Sequence, residues 1–291
     1  MLKTVISFCI LSALLLSCQK EVSYDLGNDN SGTGSGSGSA SNGNRLVKLV
    51  SSTQFDSSIT SYQYDKNGLL IRETVTGSLN GVDASNDYSI QRTASGIITE
   101  TVQKSPTLLQ NGIDSLVRTL HYDPSSKKYV SAVFPVTVNG LSVIDSTAYV
   151  YNSSGNVAAE ETYENALGIS IAVAKNVFTY SSDSRNITSE NIYADTTGTG
   201  TNLSQVVVIT YGFDTRVSAL KLPGEDAFAA QREQLFNASN IVSMQETSFT
   251  SISQSFSVTQ VFNYNSTSQP TSAVSVNTLG NLTVNLSYYY Q

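Results

Sequence analysis

The chain has no tryptophan, one histidine, two methionines and two cysteines in 291 residues. Both cysteines, Cys9 and Cys18, fall within the first eighteen positions. Everything beyond Cys18 therefore lacks the thiols that disulfides, thiolate metal sites and cysteine nucleophiles require. The single histidine, His121, sits beside Tyr122 and alternates away from the aromatic side of its segment, so it reads as a solvated strand residue. That leaves no imidazole poised as the base of a nucleophile triad and no set of imidazoles for zinc. The one long apolar run, Val5 to Leu16, is twelve residues, short of the ~20 a membrane helix needs. No glycine-rich phosphate loop stands between a strand and a helix, and no Asp-x-Asp-x-Asp-Gly loop ends in Glu. Charge is sparse too, at 13% of residues with a net of −7. A weakly acidic surface argues against nucleic acid and against adsorption to anionic membrane.

What is present at the N-terminus has the layout of an export leader. Lys3 precedes the apolar run, which ends in Leu15-Leu16-Ser17-Cys18. This resembles the lipobox of bacterial lipoproteins, in which the cysteine is acylated and becomes the new N-terminus. The resemblance implies a lipoprotein signal peptide over 1–17 and lipidation at Cys18. Gln19-Lys20-Glu21 partly resembles the surface-export signal of Bacteroidota lipoproteins. It implies an outer-membrane location, with the outer face favoured over the periplasmic face. Residues 28 to 44 are Gly, Ser, Asn and little else. Such a segment cannot bury apolar area and acts as a flexible coil with a mean reach of about 20–25 Å. The expected layout is an acylated N-terminus and tether over 18–44, then a single β domain over 45–291. Without Lys3 the mature chain keeps 15 basic and 23 acidic residues, a net of −8.

The rest of the chain is dominated by pairs of large side chains two residues apart, each followed by a turn. They are Tyr62/Tyr64, Tyr88/Ile90, Leu120/Tyr122, Tyr149/Tyr151, Phe178/Tyr180, Ile209/Tyr211, a degenerate Leu235–Phe236, Phe262/Tyr264 and Tyr288/Tyr290. Their second members are spaced 25 to 32 residues apart. A period of that size marks one small unit used repeatedly. In Tyr62-Gln-Tyr64-Asp65-Lys-Asn67-Gly68-Leu69-Leu-Ile71, alternation sets both tyrosines on one strand face. Asp65, Asn67 and Gly68 then supply the reversal. Two strands per unit predict about 18 antiparallel strands in a meander. A sheet that large must curl or close. Only Glu225 to Phe236 has helical character.

The motif Tyr-x-Tyr-Asp-x-x-Gly-x-Leu resembles the YD repeat of rearrangement-hotspot and teneurin-type shells. The chain from 60 to 291 more closely resembles Bacteroidota surface lipoproteins with scattered YD-like repeats. Tyr211-Gly-Phe213-Asp214, Ala238-Ser-Asn240-Ile-Val242, Phe262-Asn-Tyr264-Asn265 and Tyr288-Tyr289-Tyr290-Gln291 carry that likeness. Thr215-Arg216 stands where the group has Asn-Pro. The resemblance implies an all-β surface protein and no particular activity.

Chemistry was weighed on the remaining candidates. Glu73, Glu100, Glu160, Glu161, Glu190 and Glu246 each follow a turn by four to six residues, and could supply the two carboxylates of a glycosidase. They read instead as an outward ladder that keeps one sheet face solvated. Asp65, Asn67 and Asp123 read as turn formers, not calcium ligands. The tyrosines could stack on sugar rings, but read as packing. Ser115, Ser146 and Thr196 follow aspartate in a pattern resembling the O-glycosylation site of exported Bacteroidota proteins. No catalytic residue, metal ligand or cofactor is expected. The expected partners are the membrane, through Cys18, and a glycan or another surface protein. Function is expected where the repeat breaks, at 77–90, 104–118 and 214–240.

Overall fold

A computed structural model describes residues 45–291 other than 139–140, 167–168, 201 and 251–254. Cys18 and the segments read as leader and tether lie outside the described residues. The strands are β1 (Leu46–Ser52), β2 (Ser57–Tyr64), β3 (Leu70–Leu79), β4 (Val82–Asp83), β5 (Asn86–Arg92), β6 (Ile98–Lys104), β7 (Leu116–Asp123), β8 (Lys128–Val138) and β9 (Leu141–Tyr151). They continue with β10 (Val157–Ala166), β11 (Ile169–Tyr180), β12 (Ile187–Asp195), β13 (Leu203–Val217), β14 (Ser239–Ser248), β15 (Phe256–Tyr264), β16 (Pro270–Asn277) and β17 (Leu282–Tyr290). Each pairs antiparallel with its sequence neighbour, β3 passing over the two-residue β4 to meet β5. β17 returns to pair with β1, so sixteen strands form a closed barrel. The expected meander is thus closed edge to edge, so none of the sixteen described barrel strands is an edge strand. Beside β14 to β17 and β1, closure is finished by Arg45 and Gln291, which exchange both backbone hydrogen bonds at 3.1 and 2.9 Å.

Two short helices interrupt the strands, α1 (Pro106–Gln110) and α2 (Asp226–Ala229), with a 3₁₀ turn over Glu233–Phe236. The helical character read at 225–236 is therefore split in two. α1 is absent from the sequence expectation, although Ser105-Pro106 signals it: Ser105 Oγ accepts from Leu108 N at 3.2 Å, and proline at the first helical position lacks only an amide the helix does not use.

The barrel has eight units, not nine. The pair at Leu235–Phe236 is not on a strand at all. The pairs assigned to β5 and β13 are also two residues early. Ile90/Arg92 and Tyr211/Phe213 occupy the places that Tyr62/Tyr64 holds on β2, because the register slips at the same point in all three hairpins. The second members then fall at 64, 92, 122, 151, 180, 213, 264 and 290. Every pair lies at the same end of the barrel, with its side chains inward.

That recurring slip explains the largest misreading. A β-bulge sits beside the second member of the pair, between Gln63 and Tyr64, Gln91 and Arg92, His121 and Tyr122, Thr179 and Tyr180, and Asn263 and Tyr264. One extra residue on the returning strand moves all that follows to the other face. Glu73, Glu160, Glu190 and Glu246 consequently face the lumen, the last three buried. Only Glu100 and Glu161 point outward as the alternation had suggested, bonded to Gln91 and Lys175 on the outer wall. The bulge also frees a carbonyl at the start of each returning strand. Hydroxyls of the paired tyrosines donate to these: Tyr64 to Leu46 O, Tyr151 to Tyr129 O, Tyr180 to Val157 O and Tyr290 to Pro270 O, at 2.7, 2.7, 2.5 and 2.8 Å. Each such latch contributes about 0.5–1.5 kcal/mol and joins one unit to the next.

The turns behave as read. Asp65 Oδ1 accepts from the amides of Asn67 and Leu69, and Asp123 from Ser125 and Ser126. Gly155 closes its turn at φ +88°. Gly155→Val should cost about 1–3 kcal/mol, because a β-branched side chain is strained at positive φ. That corresponds to a melting temperature lower by several degrees. An unchanged melting temperature would mean that this hairpin register is wrong.

Candidate functional site

The fold departs from its repeat most at one turn. After Phe213-Asp214 the five-residue reversal is replaced by an excursion over 218–238, which enters the lumen at the end carrying the aromatic pairs. Asp214, Asn240 and Tyr264 clasp its neck. The Asn240 amide donates to Asp214 Oδ2 at 3.1 Å and to the Tyr264 hydroxyl at 3.2 Å, and that hydroxyl donates to Asp214. Asp214 still accepts from Arg216 N at 2.9 Å, as Asp65 does in an ordinary turn.

Inside, Ala219, Leu220, Leu222, Phe228, Leu235 and Phe236 are buried in one core with the inward faces of the strands. Phe228 meets Phe178 edge-on at 5.1 Å, and Phe236 meets Tyr180 at 5.4 Å. The tyrosine stripe is thus the receptacle for this plug. The plug's backbone is satisfied by side chains of the wall. Arg118, 2% exposed, donates to Phe228 O and Ala229 O at 3.4 and 2.9 Å and to the Tyr149 hydroxyl at 2.9 Å. The Tyr88 hydroxyl donates to Ala230 O at 2.6 Å. These groups gather at the C-terminal end of α2, where free carbonyls favour positive charge. Arg232 of the plug stacks on Tyr88, 4.4 Å from the ring centroid, and pairs with Glu73 at 3.5 Å.

The mouth above the plug carries two further ion pairs. Lys128 pairs with Glu225, and Arg92 with Asp226 at 2.5 Å. The Tyr129 hydroxyl donates to Asp226 Oδ1 at 2.9 Å and accepts from Ile98 N at 2.8 Å. Burial, followed by the Asp226 charge, holds the Tyr129 phenol far above its ordinary range, and burial with Glu225 does the same to Tyr151. Both stay neutral donors. A groove of about 560 Å³ opens here, lined among others by Tyr122, Lys127, Lys128, Tyr129, Asn156 and Glu225. It sets aromatic edges and an apolar floor under a few charged tips.

Of the other candidates, His121 is exposed on the outer wall. Asp145 and Glu164 are direct cross-strand partners, both buried and inward. Sequence reasoning missed this pair, and only the registers of β9 and β10 place it. Burial alone raises the Glu164 carboxyl. Among the described residues no group of three or more metal-ligating side chains forms. Of the segments where the repeat breaks, 214–240 forms the plugged mouth, while the connections in 77–90 and 104–118 lie at the opposite rim and their strand residues Tyr88 and Arg118 reach the plug.

The outer wall is polar. Ser61 and Gln63 of β2, Arg72 and Thr74 of β3, Asp87 and Gln91 of β5, Thr119 and His121 of β7, and Gln245 and Thr247 of β14 all face outward by register. Arg72 and Asp87 form an exposed ion pair at 2.8 Å on this surface. Ile59, Val130, Ile144, Val150 and Tyr289 interrupt it, as do Val261, Val274 and Val276, of which Val261 and Val274 are direct cross-strand partners.

The fold is similar to that of a porin-like protein from Bacteroides vulgatus, with a TM-score of 0.52 and 11% identity over 85% of this chain and 99% of that one. A porin-like protein from Bacteroides uniformis is equally similar, with a TM-score of 0.51 and 12% identity over 84% and 98%. At such identities the likeness extends to the fold. No family model and no curated protein matches the sequence.

Proposed function

We propose that the chain is an exported lipoprotein of the outer membrane, held by acylated Cys18 and the 18–44 tether. Its barrel stands outside the bilayer as a non-catalytic binding or scaffold head, on the outer face. The observation that carries this reading is the direction of the side chains. A barrel that spans a membrane turns an apolar band ~25 Å tall outward and keeps its lumen polar. Here the aromatic layer is inside and packed on a plug, and the outer wall bears Ser, Thr, Gln and ion pairs. Such a barrel neither fits hydrocarbon nor offers an open pore, which supports attachment through an anchor outside the barrel, for which Cys18 is the candidate.

Cys18→Ala is expected to move the protein from the detergent phase to the aqueous phase on cloud-point partitioning, and to abolish acyl labelling. Labelling that survives the change would sink the anchor assignment. Loss of labelling without loss of detergent partitioning would mean that the barrel itself inserts.

A second reading places a saccharide in the mouth groove, favoured by Tyr122 and Tyr129, whose rings meet edge-on at 5.2 Å on its wall. A glycan array probed with the mature Cys18→Ala protein should then give a specific signal that weakens in Lys127→Ala. An empty array leaves the scaffold reading.

A further inference from the structure

The two ends of the barrel differ in a way that neither the repeat nor the plug requires. At the mouth, the turns present Asp65, Asn67, Asp123, Ser125, Asn152 and Ser153, all polar. At the opposite rim, six connections each expose a large apolar side chain: Phe55 at 81%, Ile169 at 66%, Leu109 at 63%, Val82 at 60%, Phe249 at 57% and Leu279 at 42%. A single exposed apolar residue is ordinary. Six on one rim against Val217 alone beside the mouth, at 40%, is a pattern.

The Phe55 tip is fixed by its own loop and by the neighbouring hairpin. Thr53 Oγ1 accepts from the amides of Phe55 and Asp56 at 3.1 and 3.2 Å. Asp56 reaches across to the neighbouring hairpin and accepts from Asn80 N and Gly81 N at 3.0 and 2.7 Å. The connections that carry Phe55 and Val82 are therefore tied to one another, with both side chains exposed. α1, which carries Leu109, buries none of its residues.

We propose that this rim rests on the surface of a lipid bilayer, its apolar tips entering the interface between headgroup and acyl chain. Successive rim connections stand two strands apart, about 10 Å around the ring, with Ser, Thr, Asn and Gly between them. Tips so spaced do not merge into the continuous apolar patch of a protein interface. Each can enter a fluid interface independently. The rim has few cations, which selects a zwitterionic surface over an anionic one. The chain outside the described residues also fits. Residues 18–44 join the barrel at Arg45, beside the mouth, and as a coil reach about 25–30 Å. A wall of nine-residue strands at the usual tilt is roughly 25 Å tall. The tether can therefore run down the wall and bring Cys18 level with the rim, so that the plugged mouth and its groove face the medium.

This orientation rests on the lipid-anchor reading, but the rim is tested without the anchor. The mature Cys18→Ala protein is mixed with phosphatidylcholine vesicles and sedimented. It should bind, and Phe55→Ser/Phe249→Ser should weaken binding on the order of tenfold or more, with an unchanged melting temperature. Because the chain lacks tryptophan, Phe55→Trp gives a unique probe whose emission should shift to the blue on vesicles, while Ser153→Trp at the mouth should not shift. Absent binding, equal binding by the double variant, or a shift at Ser153→Trp would overturn the proposal. Self-association lost in the double variant, without vesicle binding, would overturn it in favour of a second copy. Failure of the anchor appears separately, as loss of acyl labelling in the unaltered protein.

Discussion

Arg118→Ala is expected to destabilise the barrel by about 3–5 kcal/mol, from carbonyls left without their buried donor and the cavity its side chain leaves. The guanidinium is the donor for two carbonyls of the plug and for the Tyr149 hydroxyl, and it is almost wholly buried. Its loss leaves Phe228 O and Ala229 O facing a cavity in a site closed to water, each costing about 1–3 kcal/mol if no other donor reaches it. Arg118→Lys should recover only part of the loss, because an ammonium lacks the planar fork that serves carbonyl and hydroxyl together. In a thermal melt the alanine variant should fall by roughly 6–20 °C for a domain of this size. A melting temperature within two degrees of the parent would show that the plug docks independently of Arg118.

The plug also marks the boundary of what could be read from residues alone. Period, hairpins, turn residues and curling of the sheet were legible because each is local: Asp65, Asn67 and Gly68 act within five positions of Tyr64. Helical character at 225–236 was legible for the same reason. The place of that segment in the lumen was not, because its partners, Tyr88, Arg118 and Tyr149, are 79 to 142 residues away in sequence. The degenerate pair at Leu235–Phe236 misled because a large apolar doublet looks alike on a strand and in a plug. The inward glutamates show a different limit. Alternation counted forward from the turn at Gly68 or Gly155 sends Glu73 and Glu160 outward, and a single bulged residue reverses the answer. Nothing in Leu69–Ile71 or Asn156–Ala158 announces the bulge. It becomes visible only as a repeated need, the carbonyl that Tyr64, Tyr151, Tyr180 and Tyr290 each capture.

The largest effect is expected from removing residues 282–291. β17 contributes Leu286 and Tyr288 to the core, the Tyr290 latch to Pro270, and the two hydrogen bonds between Arg45 and Gln291. It is also the only strand that pairs with both β16 and β1. Without it the barrel opens along its full height and exposes two edges, with the aromatic layer uncovered between them. Cooperative melting should be lost, and size-exclusion chromatography should show oligomers in place of a single species. That result alone would not separate closure from the loss of ten well-packed residues. A circular permutant does so. Because Arg45 and Gln291 are hydrogen-bonded neighbours, a short linker can join them, with new termini opened at Ser153-Ser154 in an exposed mouth turn. The permutant keeps every strand pairing and should melt cooperatively, within a few degrees of the parent. If the permutant unfolds as the truncation does, the order in which units are joined matters and closure of the ring does not explain its stability. If the truncation remains monomeric and cooperative, β16 and β1 close the sheet without β17, and the sixteen-strand ring is not what holds the head together.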